Sequence, residues 1–269
     1  MQAMDESGAP MYGLPAELIV SADGPIRIVT LNRPDELNGA NRAMHQSLAR
    51  VWTYLAADRG ARAVVITGRG SAFSAGGDFG YMQENIDDDA LRAQTIDEGR
   101  AIVSGMVRCP LPVIAAVNGP AVGLGCSIAL LSDLVLMSDT SFLADPHLRM
   151  GLVPGDGGMV WPALTGLSRA KEFLFLGERI PAATAVELGL ASRVVPAEDL
   201  MSEAISLAKR LAKVPAVALK DTKFALNAYL EAQLDNAFEM AFVGELKSKH
   251  SQEHRDAVAA ARAKRGDLQ

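Results

Sequence analysis

Twice in this chain a short apolar run ends directly in a glycine-rich turn, and each turn leads into residues that read as helix. Ala63–Thr67 runs into Gly68-Arg69-Gly70-Ser71-Ala72-Phe73-Ser74-Ala75-Gly76-Gly77-Asp78. Val113–Val117 runs into Asn118-Gly119-Pro120-Ala121-Val122-Gly123-Leu124-Gly125-Cys126-Ser127. Five consecutive apolar or β-branched residues without polar alternation fit a strand covered on both faces. Such strands, fed through turns into helices, predict an α/β fold with parallel strands.

The rest of the chain supports that layering and then departs from it. Glu17–Ser21 and Ile26–Leu31 read as a hairpin around Ala22-Asp23-Gly24-Pro25. Asn41 is placed to cap a helix reaching about Asp58, with Met44, Leu48, Val51, Trp52 and Leu55 on one face. Ala90–Val107 reads as helix, a further helix starts near Gly125, and Asp133–Met137 reads as a third buried strand. Beyond Pro196 the segments 197–213, 215–232, 234–247 and 251–264 all read as helices with no strand between them. The expected organisation is a core over residues 1–196, its first 14 or so residues a loose tail, and a helical region over 197–269. Lys220, Lys223, Lys247 and Lys249 in that region are expected on solvated helix faces.

Composition narrows the function classes. With 49% hydrophobic and 22% charged residues the chain has enough apolar surface for a sizeable core. A net charge of −6 gives no electrostatic footprint for DNA or RNA. Cys109 and Cys126 are in no metal-type spacing and are expected as small core residues in a reducing cytoplasm. Met1–Pro15 has neither a basic segment nor an apolar one, so no signal peptide is expected, and no apolar run approaches the ~20 residues of a membrane span.

A turn that opens a helix aims unpaired N–H groups outward, and glycine lets a ligand approach the main chain. Two such turns after two strands would place two donors around one oxygen, the design of an oxyanion hole. The alternative of tight connections without chemistry stays open for either turn alone. Gly123-Leu124-Gly125 is also part of a dinucleotide-type fingerprint, but Ile128 stands at the third glycine position and no acidic residue closes a following strand.

Several runs, in register, resemble one family. They are Leu31-Asn32-Arg33-Pro34 with Asn38, Ala72-Phe73-Ser74-Ala75-Gly76-Gly77-Asp78, and Pro112-Val113-Ile114-Ala115-Ala116-Val117-Asn118-Gly119. Later come Ser132-Asp133, Gly151-Leu152-Val153-Pro154-Gly155, Ala185-Val186-Glu187-Leu188-Gly189-Leu190 with Val194-Val195-Pro196, and Glu253-His254-Arg255-Asp256-Ala257-Val258. Together they resemble the enoyl-CoA hydratase/isomerase, or crotonase, family over roughly residues 17 to 265. The resemblance implies a spiral of ββα units with a C-terminal helical oligomerisation region, assembled as homotrimers or hexamers. It implies a lyase or isomerase of fatty acid metabolism that holds no tightly bound cofactor; the cytoplasmic location expected above comes from the cysteines, the N-terminal segment and the lack of a membrane-length apolar run. Coenzyme A enters as part of an acyl-CoA substrate, with no metal, nucleic acid or membrane partner.

The resemblance also assigns site residues. The N–H groups of Gly77 and Leu124 would form the oxyanion hole, and Asn38, Ala75, Gly76, Asp78 and Lys264 would serve the coenzyme A site. Family hydratases use two glutamates as acid and base; Ser127 and His147 stand at those positions here. A phenylalanine common in coenzyme A users is replaced by Ala261. His147, followed by Asp156, is similar to the His–Asp pair of the oxocamphor hydrolase branch, which cleaves β-diketones by a retro-Claisen reaction. Three functions therefore remain in view: thioester chemistry with His147 as acid/base, Asp156 as its orienting partner and Ser127 as a pocket residue; β-diketone hydrolysis by the same pair; or a catalytically idle binding member. His45, His250 and His254 are expected to be surface or packing residues away from the motifs.

Overall fold

Leu18–Asp23 (β1) and Ile26–Leu31 (β2) pair antiparallel from Leu18 opposite Leu31 to Asp23 opposite Ile26, with Gly24 at φ 57° turning the chain. The computed structural model describes residues 11–266. The expected loose tail at residues 1–10 lies outside the described residues, but residues 11–14 are not loose. Leu14 is buried, and the Tyr12 hydroxyl donates to Asp58 Oδ2 at 2.5 Å beside an Arg27–Asp58 ion pair.

From β2 onward the main sheet is parallel. Helix α1 (Arg42–Ala57) leads to β3 (Ala63–Gly68); α2 (Phe79–Asp87) and α3 (Asp89–Val107) lead to β4 (Val113–Val117). Next come β5 (Ala121–Val122), α4 (Leu124–Leu131), β6 (Leu134–Ser138) and β7 (Phe142–Ala144), then α5 (Trp161–Thr165) and α6 (Leu167–Leu176). β8 (Ile180–Pro181), α7 (Ala182–Glu187) and β9 (Arg193–Val195) complete the strands. The six-stranded sheet has the order β1-β2-β3-β4-β6-β9, and β5-β7-β8 form a second, small sheet. The helical region contains α8 (Leu200–Ala212), α9 (Ala216–Gln233), a π-helical turn Leu234–Phe238, α10 (Glu239–Ser248) and α11 (Gln252–Gly266).

Side chains alternate across a strand, so β3 and β4 feed two cores. Val64, Ile66, Val113 and Val117 face a cluster with Leu48, Val51 and Trp52 of α1 and Ile102, Val103 and Met106 of α3. Ala63, Val65, Ile114 and Ala116 face Leu200, Ala204, Leu207 and Ala208 of α8. The first helix beyond Pro196 is therefore one layer of the sheet's sandwich rather than an appendage. All residues of β3 and β4 are buried, which explains runs without polar alternation. Asn41 caps α1 as expected, its side chain accepting from Met44 N at 3.0 Å. Cys109 and Cys126 are both buried free thiols.

Two expectations for the lysines are corrected. Lys223 is buried, with Nζ 2.7 Å from Asp133 Oδ2 and 2.8 Å from Leu111 O, a strut between α9 and the start of β4. Lys249 is buried as well, next to the cavity described below. No helix among the described residues is long and apolar enough to cross a membrane.

Candidate active site

The two glycine-rich turns are stitched together by main-chain hydrogen bonds. Phe73 N and Ser74 N both donate to Pro120 O at 3.1 Å, and Val122 N donates to Ser74 O at 2.8 Å. Gly76, at φ 90°, lies so close to the second turn that a Cβ there would sit 2.9 Å from Val122 O. Only glycine fits that combination of backbone angle and approach.

Within the first turn the amides are used one after another. Ala75 N donates to Leu37 O, Gly76 N to Ser74 Oγ and Asp78 N to Ala40 O, while Ala40 N donates to Gly76 O. Gly77 N, between two engaged neighbours, has no acceptor among the described residues. In the second turn Gly123 N donates to Ala144 O at 3.0 Å, and α4 begins at Leu124, whose amide has no acceptor among the described residues. Gly77 and Leu124 both border a cavity of about 210 Å³, together with Ala75, Gly76, His147 and Asp156.

His147 enters from the other side of the second turn, on a 3₁₀ turn His147–Met150 that follows β7. Its Cε1 would lie 3.7 Å from a Cβ built on Gly123. His254, fully buried, holds this turn through Nδ1 against Met150 O at 2.8 Å. The imidazole is flanked by two carboxyls. Nδ1 is 2.5 Å from Asp145 Oδ1, and Nε2 is 3.6 Å from Asp156 Oδ2. The orienting partner is thus Asp145, a residue the sequence reading passed over, while Asp156 lies on the opposite nitrogen. The signal was present in Asp145-Pro146-His147, since a carboxyl two residues upstream reaches back to its own histidine.

Ser127 does not border the cavity. It is buried, its hydroxyl 2.9 Å from Asp156 Oδ1 and 3.2 Å from Gly123 O, so it acts on the site by fixing Asp156. Gly157 makes this contact possible, because a Cβ there would lie 2.3 Å from Ser127 Cβ.

Electrostatics follow from this sandwich. Burial disfavours the imidazolium, but the negative charges of Asp145 and Asp156 outweigh it and hold the His147 pKa well above the ordinary 6.5. Burial pushes the Asp156 carboxyl up, yet His147 and the Ser127 hydroxyl bring it below its ordinary value. At neutral pH the pair is therefore an imidazolium facing a carboxylate.

Other expected residues lie outside the cavity. Asn38 is fully buried at φ 55°; its amide donates to Arg69 O and Ala72 O, and its oxygen accepts from Arg33 N. It shapes the first turn instead of meeting a ligand. Asp78 caps α2 and pairs with Arg33. Lys264 is exposed on α11. Conversely, His45 borders the cavity, with Nδ1 2.7 Å from Glu98 Oε2. No short spacing links residues so far apart in sequence, so this pair could not be read from the sequence. His250 contacts Arg92 instead.

The comparisons agree with this fold. The family model "Enoyl-CoA hydratase/isomerase" matches residues 22–263. The short-chain-enoyl-CoA hydratase of Clostridium acetobutylicum is 32% identical over 247 residues, 90% of this chain and 93% of that protein. A crystal structure of an enoyl-CoA hydratase/isomerase from Mycobacterium paratuberculosis superposes with a TM-score of 0.90 at 50% identity, covering 93% of this chain and all of the other (100%). A monofunctional enoyl CoA isomerase from M. smegmatis is similar with a TM-score of 0.67 at 26% identity, over 85% of this chain and 99% of that one. The chain belongs to the enoyl-CoA hydratase/isomerase family, and its fold is that of the crotonase superfamily.

Proposed function

We propose that the chain acts on an acyl-CoA thioester, gathering enolate charge on the thioester oxygen between the N–H groups of Gly77 and Leu124. The observation that carries this reading is the pair of unclaimed amides at two stitched turns bordering one cavity with His147. Enolate formation places negative charge on an oxygen, and fixed donors at that point stabilise the transition state more than the ground state. The names of the relatives supply the substrate class.

His147 and Asp156 divide the proton work. The imidazolium of His147, oriented by Asp145, donates a proton to the enolate carbon. The carboxylate of Asp156, fixed by Ser127, takes the proton from the attacking water or from the acyl chain. These two residues replace the acid–base function that glutamates provide in family hydratases. Hydration and double-bond shift share this enolate, and Asp156 serves either. Ala75 and Gly76 form the rim past which the thioester enters. Assembly into trimers or hexamers is part of the same reading, supported by apolar side chains exposed on α9 and α10.

Turnover of crotonyl-CoA and of a β,γ-unsaturated acyl-CoA tests the proposal, with His147→Ala expected to lower kcat by ~10²–10⁴. Unchanged turnover in that variant would sink the role given to His147. One observation favours a second reading, β-diketone hydrolysis: the carboxylate of Asp156 sits against an imidazolium at 3.6 Å, positioned to activate water. Turnover of a cyclic β-diketone with no turnover of either thioester would establish it. Binding of thioesters without turnover would mark an idle member.

A further inference from the structure

One wall of the cavity has a polarity that the thioester chemistry does not use. It is formed by Asn85 of α2, with Glu245 of α10 and Lys249 directly after that helix. All three are more than nine-tenths buried, at 3%, 7% and 8% exposure. Asn85 Oδ1 and Glu245 Oε2 are buried with no hydrogen-bond partner among the described residues. Lys249 Nζ lies 3.2 Å from Glu245 Oε1, its one ion pair there, so donors of the amine remain unspent.

The segments that carry these residues are tied together. Arg92, buried in α3, donates through Nε to Asn85 O at 2.7 Å and lies with Nη1 2.6 Å from His250 Nδ1, the residue after Lys249. Glu245 is pressed against the loop that carries Asp156, since a Cβ on Gly155 would lie 2.5 Å from Glu245 Oε2.

A buried ion pair is rarely more stabilising than apolar residues of equal volume, and each unpartnered buried acceptor adds a cost. A cavity serving only an alkyl chain would be better lined without them. Lys249 offers spare donors, and Glu245 Oε1, already paired with it, keeps a lone pair to accept, whereas the two orphan oxygens are sealed from the cavity. A carboxylate on the ligand would meet the Glu245 carboxylate, and a ketone would answer the donors alone. A hydroxyl answers both, accepting from Lys249 and donating to Glu245 Oε1.

We propose that Glu245 and Lys249 are specificity-determining residues that select an acyl group carrying a hydroxyl beyond its β-carbon. This inference rests on the acyl-CoA reading above. Its test uses calorimetry with saturated acyl-CoA thioesters and their ω-hydroxy counterparts, matched pair by pair through short and medium chain lengths. Saturated chains have no double bond to hydrate or shift, so binding is read without turnover. At one chain length the hydroxylated member should bind about tenfold more tightly, the scale of one hydrogen bond to a charged group. In Lys249→Met, and separately in Glu245→Gln, that preference should disappear, with a thermal melt reporting whether each variant is folded. Equal binding of both members by the wild-type protein at every length would overturn the hydroxyl proposal while leaving the thioester reading intact. Binding of neither member at any length would overturn both.

Discussion

Nδ1 of His147 sits 2.5 Å from Oδ1 of Asp145, so the end of β7 fixes the orientation of the imidazole that follows it. Asp145 is 2% exposed and lies behind the histidine, where it meets no ligand. It is a positioning residue, acting through His147. The other imidazole nitrogen is left to face Asp156 and the cavity.

Asp145→Asn should therefore alter the pH profile more than the substrate affinity. In the native site the imidazolium persists above the ordinary histidine range, so the alkaline limb of kcat should lie above pH ~6.5. Removing the negative charge of Asp145 lowers the His147 pKa and moves that limb toward acid, with KM little changed. A loss of activity equal at every pH would instead mark a purely structural role.

The same shifts set the sign of stability against pH. His147 has a raised folded pKa, so its contribution is complete below ~6.5 and is lost as pH rises through the raised value. Asp156 has a lowered one, so its contribution is present above ~3.9 and is lost as pH falls through the lowered value. Together they place greatest stability on the acid side of neutrality. In His147→Gln the alkaline decline of the melting temperature should flatten. Thermal melts across pH for both proteins check this, and parallel curves would contradict the assignment.

Gly76→Ala tests the stitching of the two turns. The new Cβ would fall 2.9 Å from Val122 O, at a backbone angle that alanine resists. Displacing one donor of such a pair costs ~2.7–4 kcal/mol, or ~10²–10³ in kcat. The fall should be in kcat at saturating thioester, while circular dichroism retains the helix signal. A loss confined to KM would mean that the amides do not act in the transition state.

Asn38→Ala should act on stability first. The native side chain satisfies two carbonyls and one amide from full burial, and the backbone sits at φ 55°. Ala72 O would keep only the Asn118 amide at 3.2 Å, while Arg69 O and Arg33 N would lose their Asn38 partner; a polar group left unpaired in the interior costs ~1–3 kcal/mol, and alanine at positive φ adds strain. A denaturant titration should show the midpoint falling with m unchanged. Wild-type stability in this variant would mean the turn is held by other contacts.

What the sequence revealed and what it concealed divide along physical lines. β3 and β4 were legible because burial on both faces removes polar residues, and the helix from Arg42 because Asn41 caps it. The turns were legible because glycine is demanded by close backbone approach at Gly76 and by a φ of 53° at Gly123. Asp145, His45 with Glu98, and Lys249 were not, for different reasons. Asp145 could be read only as a carboxyl two residues before His147, because which ring nitrogen it meets depends on the imidazole's rotamer. His45 and Glu98 meet across α1 and α3, a pairing that no local periodicity encodes. Lys249 and Lys223 look like solvated helix charges until the elements packed over them are in place.

The helical region offers the last test. Val217, Leu226, Tyr229, Met240 and Val243 of α9 and α10 are 68%, 74%, 59%, 73% and 55% exposed in the single chain. Scattered apolar residues on a surface need no explanation, but five on two consecutive helices form a surface of the kind that copies of a chain cover in symmetric assemblies. If a second copy covers it, light scattering should return a multiple of 28.5 kDa, three or six if the family's assembly holds. Leu226→Glu combined with Met240→Glu places two carboxylates in that surface, where desolvation of unpaired charge opposes association. The double variant should then run as monomer with its helix content retained. A wild-type protein that is monomeric at micromolar concentration would remove the interface, while the site built from residues of one chain would stand unaffected.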